Sequence, residues 1–142
     1  LIAVHHKAQR VSMKLGYTIV YVPNVAESVA FFERAFGISC KFMHDSGTYG
    51  ELDTGQTTLS FAAHELGDMN FSGGHVHADK SSQPLGFELA LVTSDVQAAH
   101  DRALHAGAKE MAPPQVKPWG QTVSYVRCPD GVLVELCTPI NA

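Results

Sequence analysis

Apolar and polar positions follow the same order twice along the chain. Residues 16–37 (GYTIVYVPNVAESVAFFERAFG) and 87–107 (FELALVTSDVQAAHDRALHAG) each open on a short apolar run. Each then steps through Asn-Val or Asp-Val into an amphipathic segment closed by Gly. Tyr17–Val22 is β-branched and aromatic, which predicts a strand ended by Pro23. Val25, Val29, Phe32 and Phe36 recur at helical spacing. Asn24 is a suitable N-cap, Glu27 stands where a capping box needs it, and Gly37 can end the helix. Runs at Ile38–His44, Tyr49–Asp53 and Thr57–Ala63 then predict three strands, with Gly47 and Thr54-Gly55 at the turns.

The second unit repeats this order. Leu85–Thr93 predicts a strand, Ser94 and Asp95 are candidate caps, and Val96, Ala99, Ala103 and Leu104 supply a thinner helical stripe. The strand from Lys109 to Met111 runs into Pro113 and Pro114, which suits a sheet edge. Gln121–Arg127 and Val132–Cys137 complete the unit, joined by a Pro129-Asp130-Gly131 turn. The prediction is an α+β fold: two tandem βαβββ modules forming a curved mixed sheet around a pocket, helices outside. Module one spans 15–64 and module two 85–140, within one domain over 15–142. The polar, Gly- and Ser-rich stretch between them, 65–84, is expected to be a linker loop. Residues 1–14 are expected to be a leader, either disordered or an extra arm.

Composition narrows the function. The 142 residues are 45% hydrophobic with a formal charge of -4, which suits one compact domain with its own core. Only 10 Lys and Arg argue against a nucleic-acid surface. No apolar run approaches a membrane span, and the first 14 residues lack the apolar core of a signal peptide. Three scattered cysteines, Cys40, Cys128 and Cys137, suggest reduced thiols in a cytoplasm rather than disulfides or a zinc motif. There is no G-x-G-x-x-G, no G-x-x-x-x-G-K-[ST] and no G-x-S-x-G, so nucleotide cofactors are not indicated.

Residues 22–37 (VPNVAESVAFFERAFG), 94–108 (SDVQAAHDRALHAGA) and 118–139 (PWGQTVSYVRCPDGVLVELCTP) resemble the vicinal oxygen chelate superfamily. That superfamily includes glyoxalase I, bleomycin-resistance proteins, fosfomycin-resistance enzymes and extradiol dioxygenases. The Trp-Gly, strand, Pro-Asp-Gly turn and Glu-bearing strand are the most specific part. The resemblance implies four pocket-facing positions on the first and last strand of each module, which hold a divalent metal in metal-dependent members. Here they are Tyr17, Ser60, Glu88 and Glu135. Only Glu135 matches outright, and Glu88 is a possible ligand. Catalytic sites of this type want about three protein ligands and an open position. No metal or other cofactor is therefore expected, with Glu135 and Glu88 as the sole candidates for a weakly held divalent ion.

Period-two alternation places Tyr17, Ile19 and Tyr21 on one face, Glu88, Ala90 and Val92 on one face, and Leu133, Glu135 and Cys137 on one face. First and last strands of a module are neighbours in the resembling fold, which sets Glu88 beside Glu135. Like charges at close range raise one pKa. Such a pair can grip a cationic or hydroxylated ligand, or act as acid and base. The ligand-binding candidates are Tyr17, Tyr21, Ser60, Glu88, Trp119 and Glu135. The catalytic candidates, should the protein be an enzyme, are Glu88 and Glu135. Trp119 suits stacking on a ligand as well as it suits packing; Phe42, Tyr49 and Tyr125 can add aromatic wall. His75 and His77 form an H-x-H pair expected to be solvated, while His64 closes a strand within possible reach of the pocket. His5, His6, His100 and His105 are expected to be exposed, and Cys137 to fill space.

The function expected is a small-molecule-binding protein of the glyoxalase/bleomycin-resistance type. It would sequester an organic ligand without a full metal site. The alternative is a lyase, isomerase or epimerase using Glu88 and Glu135. The resemblance also implies a homodimer, with modules paired either within one chain or between chains.

Overall fold

The computed structural model describes residues 12–140. Most of the expected leader, with His5 and His6, lies outside the described residues. The first module is β1 (Tyr17–Val22), α1 (Val25–Phe36), β2 (Cys40–Met43), β3 (Tyr49–Leu52) and β4 (Thr58–Ala63). A helix α2 (His64–Asn70) and a 3-10 turn (Ala78–Lys80) follow. The second module is β5 (Leu89–Val92), α3 (Val96–Ala106), β6 (Lys109–Val116), β7 (Thr122–Arg127) and β8 (Leu133–Cys137). Each module makes one four-stranded mixed sheet, ordered β1-β4-β3-β2 and β5-β8-β7-β6. The first and last strands of each module pair in parallel, and the remaining pairs are antiparallel. The parallel pairs need a crossover, which α1 and α3 begin.

Local chemistry starts and stops both crossover helices. Asn24 Oδ1 accepts the Glu27 amide at 3.0 Å, and Asp95 Oδ1 accepts the Ala98 amide at 3.0 Å. Gly37 closes α1 in the left-handed region at φ 69°. The helices then cap each other. Arg102 donates to the carbonyl of Arg34 at the end of α1, and Arg34 donates to the carbonyl of Ala106 at the end of α3. Carbonyls left open by each last turn thus meet a cation from the other helix.

One hydrophobic cluster runs through both modules, from Val22, Phe32, Leu52 and Phe61 to Val126, Val134 and Leu136. Phe32 meets Phe61 edge-on with centroids 5.1 Å apart, fastening α1 to the first sheet. Burying a side chain of this size contributes about 1.5–3 kcal/mol. In β1 the split between faces is clear: Val20 and Val22 are buried, whereas Tyr17 and Ile19 are 56% and 47% exposed. The opposite sheet faces are therefore free to carry function.

Some expectations require correction. Residues 65–70, expected as loop, are helical, and His64 opens that helix α2 rather than closing β4. Hydrogen-bonded strand in the second module begins only at Leu89, because its partner β8 pairs with it from Val134 onward. His100 is not exposed but 1% accessible, wedged between Ser124 and Glu110. A thin alanine stripe on α3 leaves room for an imidazole there. The proline-bearing β6 does lie at a sheet edge, with register shifts on either side of Ala112. The three cysteines are free, Cys128 and Cys137 buried and Cys40 exposed. Among the described residues, no helix is long and apolar enough to cross a membrane.

Candidate functional site

The second sheet carries an acidic cluster on its open face. Ala90 and Tyr125 both stand opposite Glu135, and Val92 stands opposite Cys137. Strand alternation adds Glu88 to the same face. Tyr125 donates its hydroxyl to Glu135 Oε1 at 2.9 Å. Partial burial and a hydrogen bond shared with Glu135 push the Glu88 carboxyl up to about 7. Desolvation acts on Glu135 in the same upward direction. Hydrogen bonds from Glu88, Tyr125 and Cys137, with the charge of Lys117, outweigh it and hold Glu135 below its ordinary value. Burial and the same carboxylate raise Tyr125 to about 12 and Cys137 to about 11. The shift favours the thiol over the thiolate at Cys137, which argues against a nucleophilic role. Below about pH 7 these shifts favour a protonated Glu88 beside an ionised Glu135, a donor and an acceptor side by side.

The first sheet answers with a related but different group. Ser60 is fully buried, and its Oγ lies 2.9 Å from the Tyr49 hydroxyl, which donates to Glu51 Oε2 at 2.8 Å. Glu51 stands opposite Ser60 just as Tyr125 stands opposite Glu135. Both modules thus hold a tyrosine and a glutamate at this level. Sequence reasoning did not single out Glu51; its spacing of two from Tyr49 within a strand was the available signal. Tyr17 is exposed, while Tyr21 packs against Phe71 and His75. Trp119 is 64% exposed in the turn after β6, its indole N–H donating to Gln121 Oε1 at 2.8 Å. Among the described residues no hydrogen bond joins Tyr17, Ser60 or Trp119 to the Glu88–Glu135 pair.

Residues 14–136 match the family model described as the Glyoxalase/Bleomycin resistance protein/Dioxygenase superfamily. The chain belongs to this superfamily. No curated protein matches the sequence. Among solved structures, a glyoxalase-related enzyme from Fulvimarina pelagi superposes with a TM-score of 0.75 at 19% identity, covering 90% of this chain and 89% of that one. A glyoxalase/bleomycin resistance protein/dioxygenase family enzyme from Burkholderia phytofirmans PsJN gives 0.68 at 19% identity, over 89% and 98%. TioX from Micromonospora sp. ML1 gives 0.63 at 21% identity, over 89% and 98%. At such identities the likeness shows the fold alone.

The residues at the four positions that the family resemblance implies for a metal do not fit a catalytic ion. Tyr17 and Ser60 bring neutral hydroxyls, and Ser60 is bonded to Tyr49. Glu135 is engaged by Tyr125. Two carboxyls and two hydroxyls, with no imidazole among them, are a poor donor set for such a site.

A second cluster lies elsewhere. His64, at the start of α2, meets His75 and His77 from the following segment. One donor nitrogen from each lies within 4.8 Å of the others. His64 Nδ1 is 2.8 Å from His75 Nε2, and His64 Nε2 is 3.0 Å from Asp79 Oδ1. The His64 and His77 rings stack at 3.7 Å. The expectation that His75 and His77 form solvated surface is therefore corrected: both are half-buried and packed on His64. Glu88 and Glu135 are likewise not the sole groups with metal-ligating chemistry. An apolar cavity of about 280 Å³ opens beside His75, walled by Ile19, Tyr21, Phe87 and Leu133.

Proposed function

We propose that the protein binds a small organic molecule against its open sheet faces, with the Glu88–Glu135 pair as the polar anchor. The observation that carries this reading is the Tyr125 hydroxyl donating to Glu135 at 2.9 Å on the face that alternation also gives Glu88, whose carboxyl burial and Glu135 push up to about 7. A neutral carboxyl beside a carboxylate complements a ligand that offers a cation and a hydroxyl, or a vicinal donor and acceptor. Exposed Val92, two residues along β5 from Ala90, supplies apolar area beside that polar pair. The family resemblance supports a homodimer in which a second copy narrows the face. Free cysteines fit a cytoplasmic setting.

The experiment is a thermal-shift screen with aromatic amines, aminosugars and cationic glycopeptides of the bleomycin type, followed by calorimetry on hits. Binding should weaken by about tenfold or more in Glu135→Gln, on the scale of a lost charged hydrogen bond. Hits that bind wild type and Glu135→Gln equally would sink the assignment.

A second reading is lyase, isomerase or epimerase chemistry. It draws on the same pair, since a protonated Glu88 and an ionised Glu135 are matched as acid and base. Deuterium uptake from heavy water into an α-hydroxycarbonyl probe, absent in Glu135→Gln, would support it. Equal uptake in the variant would dismiss it.

A further inference from the structure

We propose that His64, His75 and His77 form a site for one divalent transition-metal ion of the zinc class, with Asp79 orienting His64. The site lies in the segment joining the modules, away from the superfamily's strand positions. It does not depend on the small-molecule reading above.

The proton inventory is the first argument. Asp79 Oδ1 sits 3.0 Å from His64 Nε2, which fixes the His64 proton on that nitrogen. His64 Nδ1 is then a lone pair, and it faces His75 Nε2 at 2.8 Å. In the metal-free protein His75 must donate from Nε2. Its Nδ1 is left as a lone pair, and that atom is buried with no hydrogen-bond partner. A buried unpaired acceptor costs about 1–3 kcal/mol.

A metal ion removes that conflict. Placed between the two nitrogens, it takes the lone pairs of His64 Nδ1 and His75 Nε2. The His75 proton moves to Nδ1, where Asp68 Oδ1 lies 3.9 Å away. Two ligands on a tetrahedral zinc at about 2.0–2.1 Å stand roughly 3.3 Å apart, half an ångström beyond the present hydrogen bond. His77 supplies the third nitrogen, which lies within 4.8 Å of the other two; its ring, now parallel to that of His64 at 3.7 Å, turns out of the stack for its in-plane lone pair to reach the ion. The carboxylate–histidine–metal arrangement through Asp79 is the usual way a ligand imidazole is held in one tautomer.

The surroundings hold the three rings in place. Tyr21 lies against His75 with centroids 4.8 Å apart. Gly67 gives His75 its space, since a Cβ there would come within 2.9 Å of His75 Cε1. Arg127 binds the carbonyls of Ala78 and Ser81, pinning the chain just beyond His77. Three neutral imidazoles favour zinc, cobalt, nickel or copper over magnesium or calcium. They also leave a fourth position for water or an exogenous ligand.

The test is calorimetric titration of tag-free, chelator-treated full-length protein with zinc chloride, and with cobalt chloride for its visible absorption. We expect one ion per chain, a tetrahedral cobalt spectrum and a raised melting temperature. His75→Ala and His77→Ala should each lose at least about tenfold in affinity, and Asp79→Asn about 10–100-fold. His5→Ala/His6→Ala and Glu88→Gln/Glu135→Gln should retain binding. His77 is half-buried, so His77→Ala keeps the test valid should His75→Ala not fold. Binding unchanged in His77→Ala and Asp79→Asn, binding lost in either retained double variant, or less than one ion per two chains overturns the proposal.

Discussion

Arg127 Nη2 donates to the carbonyl oxygen of Ala78 at 2.9 Å, across 49 residues of sequence. The same guanidinium reaches the carbonyls of Ser81 and Gly131. One side chain of the second module thus fixes the segment that carries His75, His77 and Asp79. Arg127→Ala should lower stability by about 1–3 kcal/mol in urea unfolding, the range for hydrogen bonds from a charged donor. Amide exchange over residues 75–82 should quicken first. Lysine cannot reproduce the fork, so Arg127→Lys should recover less than half of the loss. Exchange that is unchanged in that segment would argue against the clamp.

Gly131 makes the matching contact from the turn between β7 and β8. Its φ is 92°, and a Cβ would collide with the backbone carbonyl of Ala78. Gly131→Ala therefore combines backbone strain with a clash that no side chain can relieve. A loss of roughly 2–4 kcal/mol is expected, read as a lower denaturation midpoint with unchanged slope. Gly55→Ala is the control. It has a similar φ of 87° but open space around the Cβ position, and it should lose less.

His100 is the most deeply buried histidine of the described residues. Its Nδ1 is 2.9 Å from Ser124 Oγ and its Nε2 is 2.8 Å from Glu110 Oε2. His100→Ala should cost about 2–4 kcal/mol, from the cavity and from the orphaned Ser124 hydroxyl. His100→Leu fills most of the space but still strands Ser124, and adding Ser124→Ala should recover part of the loss. A cycle in which the two substitutions simply add would show that the bond contributes nothing.

The elements legible in sequence are those whose causes are local. The β1 run, the Asn24 cap and the Gly37 terminator depend on neighbours within a turn or two, and the structure begins and ends β1 and α1 there. The parallel pairing that sets Glu88 beside Glu135 followed from the repeat and its family resemblance. The histidine cluster was not legible, because its burial comes from distant partners: Tyr21 on β1 and Arg127 on β7. His100 was hidden for a similar reason. Its two partners lie on β6 and β7, and only the packed fold shows that the thin alanine stripe of α3 admits an imidazole inward. Nothing short-range distinguishes such residues from surface histidines.

The Glu88–Glu135 pair makes a prediction with a definite sign. Glu88 has a folded pKa of about 7, above its ordinary value of 4.5. Folding therefore favours its protonated form, and that contribution is complete below pH 4.5 and fades as pH rises through 7. Glu135 is lowered, so its contribution is present above its ordinary 4.5 and disappears as pH falls below it. Stability contributed by the pair should peak between those limits. Melting curves from pH 5 to 8 should show the wild type losing stability on the alkaline side. Glu88→Gln keeps a neutral donor beside Glu135 at every pH, so its melting temperature should flatten over the same interval. Carboxyl carbon shifts in Glu-labelled protein should place one titration near 7, absent from Glu88→Gln. A wild-type profile parallel to that of Glu88→Gln would mean that the two carboxyls titrate independently and share no proton.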